Sequence, residues 1–205
     1  MKKFVFGITG PTGAGKTTVS NMFRKKGAYV IDCDRIAKKI TDNNIECLNE
    51  IKEAFGDFVF NPDGTLNRPC LANIVFTNDD KLKLLNNITH KYIKEQIKKE
   101  IETADSDIIA VDGAVIIGSP VMGLIQKLVV VTADPDVRVK RIVKRDNITF
   151  ESAQKRISSQ MTNEEYESYA DFIIKNNDNV RLGENIEEVY TDIKNFREAE
   201  KSKNS

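Results

Sequence analysis

One histidine, three cysteines, no net charge and no long apolar run: each scarcity narrows the chemistry open to this chain. His90 has no cysteine or carboxylate at ligand spacing, so it cannot build a metal site by itself. Cys33, Cys47 and Cys70 are odd in number and form no C-x-x-C pair, which argues against a zinc site and a disulfide framework and for a reducing, cytoplasmic setting. Lysine plus arginine equals aspartate plus glutamate at 31 each, so no global field recruits nucleic acid or a membrane surface. The longest uncharged stretch, Gly113 to Gln126, carries three glycines and a proline. It falls short of the ~20 residues that a membrane span needs. The first apolar run opens at once after Met1, so no cleavable targeting segment is expected before it. There are no internal repeats and no low-complexity blocks.

What is present suits one well-cored α/β unit with a small insert: 205 residues, 40% hydrophobic and 30% charged. Lys3 to Ile8 reads as a short buried strand, and Thr17 to Arg24 as the first turns of a helix. Between them Gly10-Pro-Thr-Gly-Ala-Gly-Lys16-Thr17 fits G-x-x-x-x-G-K-[ST] at every fixed position. Strand, glycine-rich turn and helix start are the setting of a phosphate-binding loop, in which backbone N–H groups and the helix dipole converge on an anion. Lys16 is expected to reach the β- and γ-phosphates of ATP, and the Thr17 hydroxyl to ligate Mg²⁺.

Further strands are expected at Ala28 to Asp32, Asp107 to Asp112, Lys127 to Thr132 and Phe172 to Ile174, with Asp107 to Asp112 and Lys127 to Thr132 as continuous apolar runs of a parallel, doubly wound sheet. Asp34 to Ile40, Pro135 to Asp146, Thr149 to Gln160 and Glu184 to Glu198 read as helical, with Lys201 to Ser205 a frayed polar tail. Within 45–104, Leu82, Leu85, Ile88, Ile93, Ile97 and Ile101 recur as on one amphipathic helix, so this region is expected to be a mostly helical insert.

Asp32 and Asp34 fall at the C-terminal edge of the second strand, where open α/β sheets bind ligands. Asp34 could take a proton from an attacking hydroxyl or help to hold Mg²⁺; it could also simply cap the next helix. Asp112 ends the third strand, where phosphate-loop proteins place an acid that orients Mg²⁺, although a turn or cap role is open to it as well. Arg138, Arg141 and Arg145 recur at three- and four-residue steps and can share a helix face, with Arg156 on the next helix. Cations that arrive as a site closes would suit phosphoryl transfer, whereas helical arginines are also commonly just solvated. His90 could bind substrate or be packed.

These residues bring a family into view. The chain resembles dephospho-coenzyme A kinase along nearly its whole length, through Val30-Ile-Asp-Cys-Asp34, Asp63-Gly-Thr-Leu-Asn-Arg68, Leu71 to Phe76, Leu85-Asn-Asn-Ile-Thr-His90, Arg145-Asp146, Arg156 to Gln160 and Ala170-Asp-Phe-Ile-Ile-Lys-Asn176 in matching order. The resemblance implies a P-loop, nucleoside-monophosphate-kinase-like α/β fold: a five-stranded parallel sheet flanked by helices, with a core of 1–44, 105–140 and 170–200, an acceptor-binding helical insert at 45–104 and a helical lid at 141–169. It implies ATP-dependent phosphorylation of the ribose 3′-hydroxyl of dephospho-coenzyme A, with Mg²⁺, by a cytoplasmic monomer or weak homo-oligomer. Asp34, Lys16, Arg141 and Arg145 would be catalytic, with Asp34 as the base. Gly13, Ala14, Gly15, Lys16, Thr17, Thr18 and Asn176 would hold the nucleotide; Asp34, His90, Asp112 and Arg156 the acceptor; Thr17 and Asp112 the metal ion.

The chain departs from the family pattern after the third strand, where Ala114-Val-Ile-Ile-Gly118 replaces the usual P-L-L-F-E and loses its proline and glutamate; Asn67 and Lys91 also replace the usual Asp and Pro. Acceptor affinity or identity is the property this bears on. A kinase for another small hydroxyl or nucleotide acceptor is the alternative within enzymes. A nucleotide-dependent switch is the alternative outside them, against which the later strands carry no N-K-x-D base-reading motif.

Overall fold

The computed structural model describes residues 3–177 and 181–203. Residues 1–2 and 178–180 of the expected core, and 204–205 of the expected tail, lie outside the described residues. Five strands, β1 (Phe4–Thr9), β2 (Tyr29–Asp32), β3 (Ile108–Asp112), β4 (Lys127–Thr132) and β5 (Phe172–Lys175), form one parallel sheet in the order β2-β3-β1-β4-β5. Each strand matches its sequence expectation to within one or two residues. The three central strands are apolar in their interiors because both faces are covered, and their polar residues, Thr9, Asp112, Lys127 and Thr132, stand at the strand ends.

Alternation within those runs sorts side chains between two cores. Phe4, Phe6 and Ile8 of β1 point with Ile108, Val129 and Val131 to one face, where helix α1 (Lys16–Lys25) and the C-terminal helix α9 (Leu182–Lys203) supply Phe23, Ile186 and Ile193. Val5, Ile109, Val111, Leu128 and Val130 point to the other face. Against them pack α2 (Cys33–Asn43), α3 (Ile45–Phe55), α4 (Arg68–Val75) and the long α5 (Asp79–Thr103). All six of the periodic apolar residues of α5 join this core, and Ile97 is fully buried within it. Full burial of a side chain such as Ile97 contributes roughly 1.5–3 kcal/mol.

The remaining helices, α6 (Pro135–Asp146), α7 (Phe150–Ser158) and α8 (Asn163–Glu167), follow β4, and Val139, Ile142 and Ala153 make a small core between the first two. Thr149 caps α7, its hydroxyl accepting from Ser152 N at 3.2 Å. The expected lid boundary at 141 falls inside α6, which is continuous from Pro135. The terminal helix is longer than expected at both ends, and residues expected to fray, up to Lys203, continue it. No helix among the described residues is long and apolar enough to cross a membrane.

Register fixes where the chemistry collects. Ile8 and Asp32 both pair with Asp112, so the carboxyl ends of β1, β2 and β3 open on one edge of the sheet. The phosphate loop leaves β1 there, and α2 starts there from β2.

Candidate active site

The loop between β1 and α1 is held from behind by close backbone packing. Gly13 and Gly15 lie at φ +79° and +92°, and a Cβ on them would come within 2.9 Å of Arg138 O and 2.1 Å of Asn176 Nδ2. Only glycine meets both demands at these positions. The N–H groups of Gly13, Gly15, Lys16 and Thr17 have no acceptor among the described residues, which leaves them to an anion at the positive end of α1. Thr17 and Thr18 are exposed on its first turn. Lys16 Nζ donates to Gly10 O at 2.7 Å. Burial lowers its pKa, while Asp112 and Asp34 act in the opposite sense.

Two of the expected nucleotide ligands, Ala14 and Asn176, also support the loop from within. Ala14 is fully buried, and its carbonyl accepts from Asn176 Nδ2 at 2.8 Å. Asn176, itself buried, also donates its backbone N–H to Thr132 O at 2.7 Å, so its amide ties the loop to the end of β4.

The capping question at α2 resolves on the other aspartate. Asp32 is the N-cap, accepting from Arg35 N at 3.0 Å, whereas Asp34 stands in the first helical turn with an exposed carboxylate that has no hydrogen-bond partner among the described residues. Asp112 is set deeper. Its Oδ2 accepts from the buried Ser20 hydroxyl at 2.7 Å, and burial raises its pKa against the effects of that bond and of Lys16. Its Oδ1 has no partner among the described residues. That oxygen and the Thr17 hydroxyl are both hard oxygen donors, the type that suits Mg²⁺. Between the aspartates, burial pushes the Cys33 thiol up to about 12, helped by Asp112 and Asp34, so it is no nucleophile.

The arginines of α6 take three different environments. Arg138 is buried, its Nε donating to Thr12 O at 2.9 Å. Arg141 Nη1 bonds Asn176 O at 2.9 Å and approaches the Gly13 and Ala14 carbonyls. Arg145 is exposed and bonds Asp146 through Nε at 2.7 Å and Nη2 at 3.0 Å. Arg156 meets the same carboxylate from α7.

Two cavities meet at Asp34. One, of about 760 Å³, is polar and lined by Gly13, Lys16, Thr17, Arg141, Arg145 and Gln160 as well as Asp34. The other, of about 570 Å³, lies between α2, α4 and α5 and is mainly apolar, with Leu71, Val75, Phe76, Leu82, Leu85 and Ile93 in its wall. A phosphate-loop site opening past one carboxylate onto an apolar groove is the layout of a kinase with a bulky acceptor.

Residues 4–181 match the family model described as dephospho-CoA kinase. The chain belongs to the dephospho-CoA kinase family. It is 37% identical over 193 residues to the dephospho-CoA kinase of Listeria monocytogenes serotype 4b, covering 93% of this chain and 96% of that one. Among solved structures it resembles a Thermus thermophilus protein at TM-score 0.80 and 25% identity, covering 94% of this chain and 97% of that one. The dephospho-CoA kinase of Campylobacter jejuni aligns at TM-score 0.66 and 28% identity, covering 92% and 96%. The chain is accordingly an enzyme of coenzyme A biosynthesis that carries out its ATP-dependent phosphorylation step.

Asp34, Lys16, Thr17, Arg141 and Arg145 gather around the polar cavity, and Asp112 sits beside Lys16. Arg156 reaches Asp146 and is not among the residues lining either cavity, and the same holds for His90, which is half-buried on α5 with its pKa lowered by burial. Of the departing segment, Ala114 lines the polar cavity and Val115 is largely exposed. Sequence reasoning missed Ser20 on Asp112, and it did not give Gln160 a role, although its Oε1 accepts from Thr12 N at 3.0 Å. Ser20 could have been found from its position one helical turn after Thr17, on the side that faces β3.

Proposed function

We propose that the chain phosphorylates the ribose 3′-hydroxyl of dephospho-CoA, with the ATP phosphates in the polar cavity, the acceptor's apolar arm in the adjoining groove and Asp34 as general base between them. The observation that carries this reading is that Asp34 lines both cavities. The 3′-oxygen loses its proton to Asp34, forms the bond to the γ-phosphorus, and the bond to the bridging oxygen of ADP breaks. Lys16 and the open amides of the loop bind the phosphoryl oxygens on which charge spreads, and Arg145 reaches them from α6. Thr17 and Asp112 would hold Mg²⁺, which when bound neutralises charge on the β- and γ-oxygens.

A kinase for a different acceptor is favoured by one observation, the altered Ala114-to-Gly118 segment at the rim of the polar cavity. A coupled ATP assay separates the two readings by comparing dephospho-CoA with nucleoside monophosphates and simple alcohols. Dephospho-CoA should exceed every other acceptor in kcat/KM by at least about 10²-fold, because only it fills the apolar groove. Equal turnover of AMP would overturn the acceptor assignment and leave the nucleotide half standing.

A further inference from the structure

We infer that Arg138 is a positioning residue for nucleotide binding: it fixes the Thr12 peptide of the phosphate loop from behind, and its buried positive charge is compensated when the nucleotide's phosphates enter the polar cavity. This rests on the reading of that cavity as the ATP site.

Arg138 is 2% exposed and yet forms no ion pair with a carboxylate among the described residues. Its Nε donates to Thr12 O at 2.9 Å and its Nη1 to Asn163 Oδ1 at 3.3 Å, while Nη2 is buried with no hydrogen-bond partner among the described residues. A buried guanidinium is ordinarily paired, because an uncompensated charge in a low-dielectric interior is costly. The nearby ionisable group acting on it is Tyr166, a phenol whose own pKa is raised by burial and which is neutral at pH 7. Its field does reach the site, since Arg138 is among the cations that lower the Lys16 pKa. A polyanion placed over Lys16 therefore stabilises both cations together.

The geometry gives the guanidinium a second role. The Thr12 peptide is gripped on both sides, its carbonyl by Arg138 and its N–H by Gln160 Oε1. The Arg138 backbone also lies directly under Gly13, where an added Cβ would touch it. Asn163 joins the same chain of contacts, donating Nδ2 to Ala133 O at 3.0 Å at the end of β4. The apex of the phosphate loop is thus tied to α6 and α8 through one buried side chain, and to the segment between α7 and α8 through Gln160. A loop held in its anion-binding form before the anion arrives binds it more tightly, because less ordering remains to be done.

The test compares wild type with Arg138→Met and Arg138→Lys by calorimetric titration with Mg-ADP, by thermal melts with and without Mg-ADP, and by the KM of each substrate. For Arg138→Met the Mg-ADP dissociation constant should rise about tenfold or more, and the melting shift that Mg-ADP produces should shrink. The KM for ATP should rise while that for dephospho-CoA stays within about twofold. Arg138→Lys keeps the stem and charge but cannot bond Thr12 O and Asn163 Oδ1 together, so it should show the same losses in smaller measure and carries the test if the Met variant does not fold. A folded variant that binds Mg-ADP as tightly as wild type overturns this inference alone. A wild type that fails to bind Mg-ADP overturns the nucleotide site and this inference with it.

Discussion

Replacing Asp34 by asparagine separates chemistry from helix capping, because the structure assigns the cap to its neighbour. Asp32 accepts the Arg35 N–H, whereas Asp34 occupies the first turn of α2 with no side-chain hydrogen bond among the described residues. The stability cost of Asp34→Asn is then limited to one favourable charge near a helix N-terminus, about 0.3–1 kcal/mol. Repulsion from the neighbouring carboxylates Asp32 and Asp112 is relieved by the same change and offsets part of this. For a chain of 205 residues such a loss lowers Tm by no more than about 2–4 °C. Turnover should fall far more, by roughly 10²–10⁴-fold, the range for a lost general base, which is about 3–5 kcal/mol of barrier. Asp32 supplies two controls. Asparagine caps as well as aspartate, so Asp32→Asn should change neither Tm nor turnover much, whereas Asp32→Ala should cost about 1 kcal/mol of stability with most activity kept. The assay is kcat at saturating ATP and dephospho-CoA beside thermal melts of all three variants. Wild-type turnover in folded Asp34→Asn would refute the base assignment and leave positioning by loop and arginines to carry the reaction.

Lys16→Ala should lower kcat/KM by at least about 10²-fold with the fold intact in far-UV circular dichroism, because its ammonium faces the loop and the cavity, not the apolar core. Arg145→Ala should lower kcat more than Arg156→Ala does in parallel steady-state assays, since Arg145 lines the polar cavity and Arg156 reaches only Asp146; equal effects would show that the ion cluster acts as one unit. Hydrogen bonds from Arg145 and then Arg156 hold the Asp146 carboxylate down at about 2, below its ordinary 3.8. A depressed carboxylate contributes stability above its unfolded pKa and loses it as the native group protonates. The stability difference between wild type and Asp146→Asn, read from denaturant midpoints, should therefore be constant above about pH 4 and fade between about pH 4 and pH 2.

The sheet and the phosphate loop were legible because their signals are local. Each central strand is a continuous apolar run, and every fixed position of the loop motif lies within eight consecutive residues. The long helix of the insert was legible for the same reason, its stripe being set by a 3.6-residue period. The supports of the site are different in kind. Ser20 meets Asp112 across 92 residues of sequence, Arg138 meets Thr12 across 126 and Gln160 meets it across 148. Nothing in the spacing of either partner encodes such a contact; it follows from β3 and β4 flanking β1 in the sheet. That Asp32 caps α2, and Asp34 does not, is illegible in the sequence for a smaller reason. Both are good capping residues two positions apart, and only the point at which the chain leaves the β2 ladder decides between them.

The three arginines of α6 show how far periodicity can carry such a reading. At 100° per residue Arg138 and Arg145 fall within about 20° of each other around the helix, and Arg141 within about 60°, so a shared face was a sound expectation. Yet Arg138 is buried, Arg141 bonds loop and strand-end carbonyls, and Arg145 opens onto the cavity. The angle around the axis is the same, but the position along it differs by about 10 Å over seven residues. The N-terminal end of α6 is pressed beneath the phosphate loop by the short connection from β4, while its C-terminal end projects past the loop toward α7. One sequence pattern therefore yields a support under the loop at one end and, at the other, a cation that opens onto the cavity while paired with Asp146. Depth along a helix axis is set by what packs on it, and the hydrophobic period does not record that.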